Sequence, residues 1–505
     1  MLDIILSLLP FVLITYLLVF KKVKAFKVMG LVYFLTFLLL LIHFKANPLT
    51  LLSATARGIL ISFEVFMIIL SVLFLYYLMK NTKRLDVIKD YLHNFSSDKQ
   101  IQIILIGFFV VAFFEAIAGF GTPAAIAAPL LVLIGIAPFT AVIITLVADS
   151  VPVTFGAFGT PIIVGILSSI TDPNLEQITI YSSILSGIIA LFLPLILLII
   201  YNLIEFKNLK KIKTYIPISL VAGISFSIPF ILTAIFLGPE LPSVIGAIVG
   251  FTITSLCIKK QVIKTKTHNS KIMSSLLPYF SLIGLFIITR LDLFNIGTFL
   301  RNINLNITLT DNISHSLNLF HPWFLIFLTF LIFLIIFKIN TKQTKEIIKE
   351  SFDKSKFVLI TLVFTLAFVQ LILFSHINNS EFIGIAQTIG SLFSGLGIFY
   401  IFFAPFIGAF GSFIAGSATV SNIIFSSLQN SVAIENSISQ SLILALQNAG
   451  AAAGNMIAIH NIVAVLALVG LANKESNVLR ITFIITIIYC FILGIFGLIG
   501  YYLFF

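Results

Sequence analysis

Residues 101–133 read IQIILIGFFVVAFFEAIAGFGTPAAIAAPLLVL, a long apolar stretch that is interrupted by Glu115 and by the turn-forming residues Gly119-Phe-Gly-Thr-Pro123. A bilayer core about 30 Å thick needs roughly 20 apolar residues for each helical crossing. Lipid cannot hydrogen-bond to the backbone groups that Gly and Pro release, so irregular backbone at membrane depth must be buried in protein or line a cavity. The stretch therefore predicts a membrane-embedded helix that is broken where it faces protein or a cavity.

Similar apolar stretches recur along the whole chain. Of its 505 residues, 59% are hydrophobic and 10% are charged, a balance that cannot cover a soluble globule with a polar surface. The stretches do not alternate polar and apolar residues as the strands of a membrane β-barrel do. We therefore predict an all-α polytopic membrane protein with about 12 to 14 transmembrane segments. Examples are residues 3–20, 28–44, 58–79, 178–204, 216–238, 273–289, 322–337, 357–375 and 480–505.

The basic residues lie in short clusters that directly follow apolar stretches. This is the positive-inside pattern of cytoplasmic loops, and it predicts an N-terminus on the outer side. The pattern accounts for the formal net charge of +11, so membrane lipid is an expected partner and nucleic acid is not. Cys257 and Cys490 lie within apolar stretches, so we expect no disulfide framework, no metal site and no cofactor. The clusters are residues 21–27, 80–99, 207–213, 259–271 and 338–356.

Three further segments break the hydrophobic pattern in the same way. They are residues 148–161 (ADSVPVTFGAFGTP), 408–422 (GAFGSFIAGSATVSN) and 447–461 (QNAGAAAGNMIAIHN). Small residues also let membrane helices pack closely, and for a single segment that explanation would be sufficient. Four such segments, some with ionisable residues, indicate instead that they meet at one shared site.

The interrupted segments indicate that the chain contains two related halves. Gly119-Phe-Gly-Thr resembles Ala409-Phe-Gly-Ser about 290 residues later, and Gly156 and Gly454 stand about 298 residues apart. Interrupted segments in corresponding positions of two halves are typical of secondary transporters, whose substrate site lies near the membrane midplane. We predict N-terminal spans and a cytoplasmic loop in residues 1–100, a first repeat core in 101–215, central spans in 216–356 and a second repeat core in 357–505.

Three ionisable residues lie inside these segments, namely Glu115, Asp149 and His460. A charge at membrane depth costs at least about 2.5 kcal/mol on insertion scales, so such residues are functional candidates. Apolar surroundings favour the neutral form of a carboxyl group, which makes protonation during a transport cycle feasible. We predict that these three residues carry the coupling proton. Arg57 is expected to snorkel to the membrane interface, with Glu64 as a candidate partner on the same helical face.

The four segments, in this order and spacing, resemble the hallmark segments of the bacterial L-lactate permease family. The resemblance implies a multi-pass protein of the bacterial cytoplasmic membrane that takes up L-lactate, and often D-lactate and glycolate, together with protons. It also implies a fold similar to the ion-transporter superfamily, with re-entrant hairpins in an inverted repeat. One departure is local. Gly416-Ser-Ala-Thr419 stands where many relatives read Gly-Ser-Asn-Thr or Gly-Ser-Asp-Thr, which leaves substrate preference and coupling ion open.

We expect a 2-hydroxymonocarboxylate to bind near the midplane, with its carboxylate facing half-helix N-termini and hydroxyl groups. The Gly-Thr-Pro turns suit this role, because Thr suits an N-cap and Pro suits a first helical turn. An amide both donates and accepts, so Asn422, Gln447 or Asn448 could take the 2-hydroxyl group. The other candidate substrate-binding residues are Gly121, Thr122, Gly159, Thr160, Ser412, Ser417, Thr419 and Asn455.

Other functions are compatible with parts of the pattern. Unwound carbonyls with Ser, Thr and Asn side chains also suit Na⁺, so the coupling ion stays open. A small-anion channel would use similar glycine-rich constrictions, but it would conduct downhill and never concentrate its substrate. An enzyme would need a nucleophile–base pair or metal ligands, and the sequence has no His-x-x-x-His or Gly-x-Ser-x-Gly motif. We therefore expect a transporter and no enzyme, with homo-oligomerisation left open.

Overall fold

The protein is almost entirely helical. The computed structural model describes residues 2–17, 21, 23, 25–93, 98–117, 119, 122–258, 269–310, 313–380, 382–471 and 474–504. The longest of the first four helices, α3, begins at Pro48, directly after Asn47. The Asn47 side chain caps this helix by accepting a hydrogen bond from Leu49 N at 2.9 Å. These helices are α1 (Leu2–Thr15), α2 (Ala25–Ile42), α3 (Pro48–Asn81) and α4 (Arg84–His93).

The first two interrupted segments form a helical hairpin and a broken helix. Lys99 Nζ donates to Gly135 O at 2.6 Å. The first residue of the incoming arm and the end of the outgoing arm therefore lie side by side at the base of the hairpin. The broken helix bends by 46° between residues 148 and 152. The elements are α5 (Lys99–Gln102), a π-helix (Ile103–Val110), α6 (Val111–Ile117), α7 (Thr122–Leu133), α8 (Pro138–Ala148), a 3₁₀-helix (Pro152–Phe155), α9 (Gly156–Thr160), a π-helix (Pro161–Ile166) and α10 (Leu175–Phe206).

The central region contains a β-hairpin that the sequence did not predict. Its strands pair antiparallel, with Asn304 opposite Asn318. His315 Nε2 of this hairpin lies 3.0 Å from Glu64 Oε2 on α3, so the buried acid pairs with a histidine and not with Arg57. The elements are a 3₁₀-helix (Lys210–Tyr215), α11 (Ile216–Leu237), α12 (Pro242–Cys257), α13 (Asn269–Arg290), a 3₁₀-helix (Leu293–Asn295), α14 (Ile296–Asn302), β1 (Asn304–Thr310), β2 (Ile313–Asn318) and α15 (Pro322–Ile336).

The last two interrupted segments form a second hairpin and a second broken helix. Asn436 Nδ2 donates to Phe393 O at 3.2 Å and closes the base of this hairpin. Gly416 at its tip has φ +76°, a left-handed conformation that glycine adopts without strain. The elements are α16 (Thr341–Leu373), α17 (Ile385–Leu392), a 3₁₀-helix (Ser394–Phe399), α18 (Tyr400–Ala415), α19 (Ala418–Glu435), α20 (Gln440–Gly454), a 3₁₀-helix (Asn455–Ile457), α21 (Ile459–Leu468) and α22 (Glu475–Phe504).

Helix lengths and surfaces confirm the predicted all-α membrane protein. In the described part of the chain, seven helices are long and apolar enough to cross a membrane, or up to nine when each of two bent pairs counts as one span. Four shorter apolar helices accompany them. On α22, Ile484, Ile488 and Phe491 share one helical face and are 50–56% exposed. Exposed apolar side chains at this spacing form a surface suited to lipid.

The two hairpins enter the helical bundle from opposite ends. We call one end the basic side, because it carries the clusters at residues 80–99 and 207–213. At this end Ala137 N, beside the base of the first hairpin, donates to Glu205 Oε1 of α10 at 2.9 Å. At the other end of α10, Gln177 Oε1 accepts from Ser441 Oγ at 3.1 Å, close to the base of the second hairpin. This arrangement supports an inverted repeat, which stays a prediction.

Helices α3 and α16 cross each other in antiparallel directions. Ser62 Oγ donates to Leu362 O at 3.2 Å, while a Cβ on Gly58 would collide with the backbone of Ala367. A later residue of α3 therefore contacts an earlier residue of α16, as in antiparallel helices. The two backbones are in close contact. The division of the chain at residues 100, 215 and 356 stays a prediction, and α16 runs across the last of these boundaries.

Candidate substrate and coupling site

The four interrupted segments meet, as the sequence predicts. Asn455 Nδ2 donates to Asp149 Oδ2 at 3.0 Å and joins the two broken helices. Thr419 Oγ1 donates to Thr160 Oγ1 at 3.4 Å and joins the second hairpin to the first broken helix. Glu115 of the first hairpin faces Asp149. Residues separated by about 300 positions in the chain therefore form one cluster.

A pair of buried acids lies at the centre of this cluster. The carboxyl groups of Glu115 and Asp149 lie close enough to repel each other when both are ionised and to share a hydrogen bond when one is protonated. Both residues are buried. Asp149 Oδ1 is buried without a hydrogen-bond donor among the described residues when both acids are ionised. The pair therefore has a place for a proton between its two members.

Glycine makes room for this pair. A Cβ at residue 156 would collide with Glu115 Oε1, and a Cβ at Gly119 would lie 3.6 Å from the same oxygen. Both glycines belong to the segments that the sequence singled out. Close approach of a side chain to the backbone is a physical reason for glycine at such positions. Glu115 is thus held between the tip region of the first hairpin and the break of the first broken helix.

The break itself has a strained backbone. Ala157, Phe158 and Gly159 have φ values of 42°, 56° and 79°, three consecutive residues in the left-handed region. This conformation costs residues other than glycine about 1–2 kcal/mol each, and strain of this kind is concentrated at functional sites. Packing holds it in place, because the Phe158 ring stacks on Phe286 with 5.5 Å between ring centroids. A Cβ on Gly159 would collide with Pro239 O, so this predicted binding residue faces protein on that side.

Three predicted binding residues form a buried chain of amides. Gln447 Nε2 donates to Asn422 Oδ1 at 3.3 Å, and Asn422 Nδ2 donates to Asn448 Oδ1 at 2.8 Å. Asn448 Nδ2 then donates to Thr154 O and to Ser182 Oγ, each at 3.3 Å. Asn422, Gln447 and Asn448 are fully buried. In this structure the amides bond to one another and hold α19, α20 and the first broken helix together.

Two residues outside the predicted site extend this chain of amides. Gln429 Nε2 donates to Gln447 Oε1 at 2.8 Å and to Ala404 O at 2.9 Å. Tyr400 OH donates to Gln429 Oε1 at 2.6 Å. Gln429 lies outside the four segments, inside an otherwise regular helix. Its polarity at membrane depth is the sequence signal that could have identified it.

Hydroxyl groups from both hairpin arms lie near the tip at Gly416. Ser417 caps α19 and accepts a hydrogen bond from Val420 N at 3.5 Å. Ser412 is fully buried, and its Oγ has no hydrogen-bond partner among the described residues. Thr160 is buried and donates to Gly156 O at 3.2 Å. The hydroxyl of Ser412 thus lacks an internal partner among the described residues, while those of Thr160 and Ser417 make internal contacts.

Some predicted residues fall where the structure is not described. Gly121 lies outside the described residues. Thr122 and His460 begin or lie within the helices α7 and α21, but their side chains are not among those described. Their roles stay predictions. Within the described part of the chain, no group of three or more His, Cys, Asp or Glu residues could hold a metal ion.

Several glycines of the second half serve close packing. A Cβ on Gly450 would collide with Pro405 O, and one on Gly454 would collide with Ala409 O. A Cβ on Gly408 would likewise collide with Gln447 O. Small residues let membrane helices approach this closely. For α18 and α20 the packing explanation therefore applies to these glycines, in addition to any role at the site.

A cavity opens near the first hairpin on the basic side. It holds about 550 Å³ and is lined by Ile126 of α7 and by charged residues of α3 and α16, among them Lys80 and Glu350. A second cavity of about 200 Å³ is apolar and lies between α6, α12 and α13, next to Phe113. Through Ile126, the first hairpin thus borders the larger, polar cavity on the basic side of the bundle.

The chain matches a family of known proteins over nearly its whole length. The family profile described as L-lactate permease matches residues 3–504. A protein of Haemophilus influenzae is 30% identical over 97% of both chains. An L-lactate permease of Bacillus subtilis is 28% identical, and a glycolate permease of Escherichia coli is 27% identical, each over 86% of this chain and 84% of the relative. The chain belongs to the L-lactate permease family.

Proposed function

We propose that this protein is a secondary transporter that takes up L-lactate, and also D-lactate or glycolate, by proton symport across a bacterial cytoplasmic membrane. Two of its similar proteins are named as an L-lactate permease and a glycolate permease. The observation that carries the mechanism is the buried pair of Glu115 and Asp149 at the junction of both broken helices. A membrane-embedded acid pair is suited to binding and releasing one proton in each cycle.

The proton acts through charge neutralisation. The carboxylates of Glu115 and Asp149 repel each other when both are ionised. The apolar surroundings screen this repulsion only weakly. A proton shared by the pair removes that repulsion and supplies the donor that Asp149 Oδ1 lacks among the described residues. The neutralised pair then allows the broken helices, which Asn455 joins to Asp149, to move with the substrate. His460 is the third candidate for this relay.

The substrate binds beside the acid pair, between the hairpin tips. Its carboxylate is received by the hydroxyl groups of Ser412, Ser417, Thr160 and Thr419, and by backbone N–H groups at the half-helix ends. The remaining candidates are the backbone at Gly121, Thr122 and Gly159 and the side chain of Asn455. In the amide chain, Asn422 or Asn448 would have to exchange an internal hydrogen bond for the 2-hydroxyl group.

Uptake into proteoliposomes tests this proposal. Purified protein is given labelled L-lactate with an imposed inward proton gradient, an imposed inward Na⁺ gradient or neither, with glycolate as competitor. We expect accumulation above the external concentration only with the proton gradient, and inhibition by glycolate. Downhill flux without accumulation under either gradient would contradict symport and favour the channel alternative. Absence of flux under all three conditions would contradict the proposed substrate class.

Na⁺ coupling is the alternative that the same cluster allows. Asp149 Oδ1 and the Glu115 carboxyl present oxygen ligands, which a hard cation prefers. Accumulation with an inward Na⁺ gradient at equal pH on both sides would favour this alternative over protons.

A further inference from the structure

Arg57 is a cation on α3 near the end of the bundle opposite the basic side. Its Nη1 donates to Gln370 Oε1 of α16 at 2.8 Å, and its guanidinium lies 5.4 Å from the centroid of the Phe374 ring. Gln370 Nε2 donates in turn to Ser168 O at 2.8 Å, so the amide oxygen has to face Arg57. That Arg57 snorkels to the membrane interface stays a prediction. In the structure the residue is half-buried at a contact between three segments.

The charge of Arg57 has no ionic partner in the described structure. No acid among the described residues forms an ion pair with it, and the nearby buried acid Glu64 pairs with His315. Arg57 Nε is buried without a hydrogen-bond acceptor among the described residues. A desolvated guanidinium with a free donor is costly unless an anion compensates it. The site therefore has donors and charge for a ligand that the chain itself does not supply.

The position of Arg57 relates it to the substrate site. Ser168 follows Thr160 by eight residues, which would correspond to a rise of roughly 12 Å in an α-helix. Thr160 contacts Thr419 at the junction of the two halves. Arg57 also stands next to Gly58, where α3 and α16 pack backbone to backbone, so its Cα is held on a rigid crossing. An anion on Arg57 would thus lie on the outer approach to the cluster.

We propose that Arg57 is a binding residue for the carboxylate of the transported monocarboxylate, at an outer station through which the substrate passes before it reaches the hairpin tips. This inference rests on the proposed function of the protein. A guanidinium offers paired N–H donors that match the two oxygens of a carboxylate. In this structure Gln370 occupies one of these donors and orients the group, while Nε has no acceptor among the described residues.

The test is lactate uptake in proteoliposomes by the R57Q and R57K variants. For R57Q we expect the KM for L-lactate to rise about 10- to 100-fold, with maximal rate within about twofold, since charge-assisted hydrogen bonds are lost from binding. R57K keeps the charge but lacks the planar guanidinium, so we expect its KM to lie between those of the wild type and R57Q. R301Q is the matched control, because Arg301 is an exposed arginine whose guanidinium stacks on Phe320. Its KM stays that of the wild type.

A second measurement keeps the proposal testable if R57Q does not fold. Cys257 is exposed, so R57C is made in a C257S background. It is then modified with either a cationic or a neutral methanethiosulfonate of similar size. We expect the cationic adduct alone to restore a low KM, and we expect L-lactate to slow the modification. Equal effects of both adducts would contradict a role for the charge.

The outcomes separate this inference from the proposed function. A wild-type protein that fails to transport lactate contradicts the proposed function. A wild-type protein that transports lactate, with R57Q showing an unchanged KM, overturns the assignment of Arg57 alone. A lowered maximal rate with unchanged KM in R57Q does the same, because it identifies Arg57 as a structural contact between α3 and α16.

Discussion

Glu115 and Asp149 determine what the cluster can do chemically. Each is a single acid inside apolar sequence, and only their pairing creates a place for one proton with a defined pair of acceptors. Asn455 fixes the orientation of Asp149, and Asn461 Nδ2 donates to Asn455 Oδ1 at 2.9 Å and fixes the amide in turn. These polar residues therefore hold the acid pair in one arrangement.

The E115Q variant tests the acid pair. Glutamine keeps the size of the side chain and can donate to Asp149, but it cannot release a proton in each cycle. We expect E115Q to exchange labelled for unlabelled lactate across the membrane while the internal concentration stops at the external one. E435Q, which changes an exposed acid on α19, should accumulate lactate as the wild type does. Accumulation by E115Q under an imposed proton gradient would remove Glu115 from the relay.

The G156A variant tests the space around Glu115. A methyl group at residue 156 collides with Glu115 Oε1, so either the carboxyl group or the strained segment at residues 157–159 must move. Overpacking of this kind costs about 1–3 kcal/mol. We expect uptake to fall at least about tenfold, while the yield of folded protein stays measurable. G284A is the matched control, since its added Cβ would meet no described heavy atom beyond its own helical turn within 4 Å. Uptake by G156A at the wild-type rate would show that this contact is not required.

At the scale of elements, the two hairpins and the two broken helices form a single polar junction within an apolar bundle. Each hairpin closes at its own base, through Lys99 and Gly135 at one end and through Asn436 and Phe393 at the other. The two bases lie at opposite ends of the bundle. Irregular backbone is thus surrounded by protein, as membrane burial requires.

Cysteine accessibility tests the orientation of the hairpins. Ala137 lies beside the base of the first hairpin and Ser437 beside that of the second, and both are exposed. In a C257S background, we expect a membrane-impermeant maleimide to label A137C only from the cytoplasmic side and S437C only from the outer side. Inside-out and right-side-out vesicles separate these cases. Labelling of both residues from the same side would exclude hairpins that enter from opposite ends.

At the scale of the whole molecule, two sets of helices contact each other. The junction includes hairpins, broken helices and α10, while α3 and α16 cross beside it in antiparallel directions. The two sets meet where Gln370 of α16 donates to Ser168 O. On the basic side, a cavity of about 550 Å³ separates Ile126 of α7 from Lys80 and Glu350. We expect a transport cycle that exposes the junction first to one side of the membrane and then to the other to change both the Gln370–Ser168 contact and this cavity.

A cross-link at this contact tests the movement. We expect the S168C/Q370C pair, joined through two disulfides by a short bis-methanethiosulfonate, to lose lactate uptake, and a reducing agent that cleaves these disulfides to restore it. The matched control is Q177C/S441C, a contact at the same end between α10 and α20. Its cross-link should leave uptake intact, because both helices belong to the junction. Transport by the S168C/Q370C cross-linked protein would mean that this contact does not open during the cycle.

The sequence alone determined the class of protein, the four interrupted segments and the acids within them. These features depend on local composition, since an apolar stretch with Gly, Pro and one carboxyl group has few stable arrangements in a membrane. Only the tertiary structure decided which polar side chains contact each other. It paired Glu115 with Asp149, placed Arg57 against Gln370, buried the amides of Asn422, Gln447 and Asn448 in one chain, and added Gln429 to them. These contacts join residues up to about 300 positions apart, and no local pattern specifies which distant partner a polar side chain finds when the helices pack.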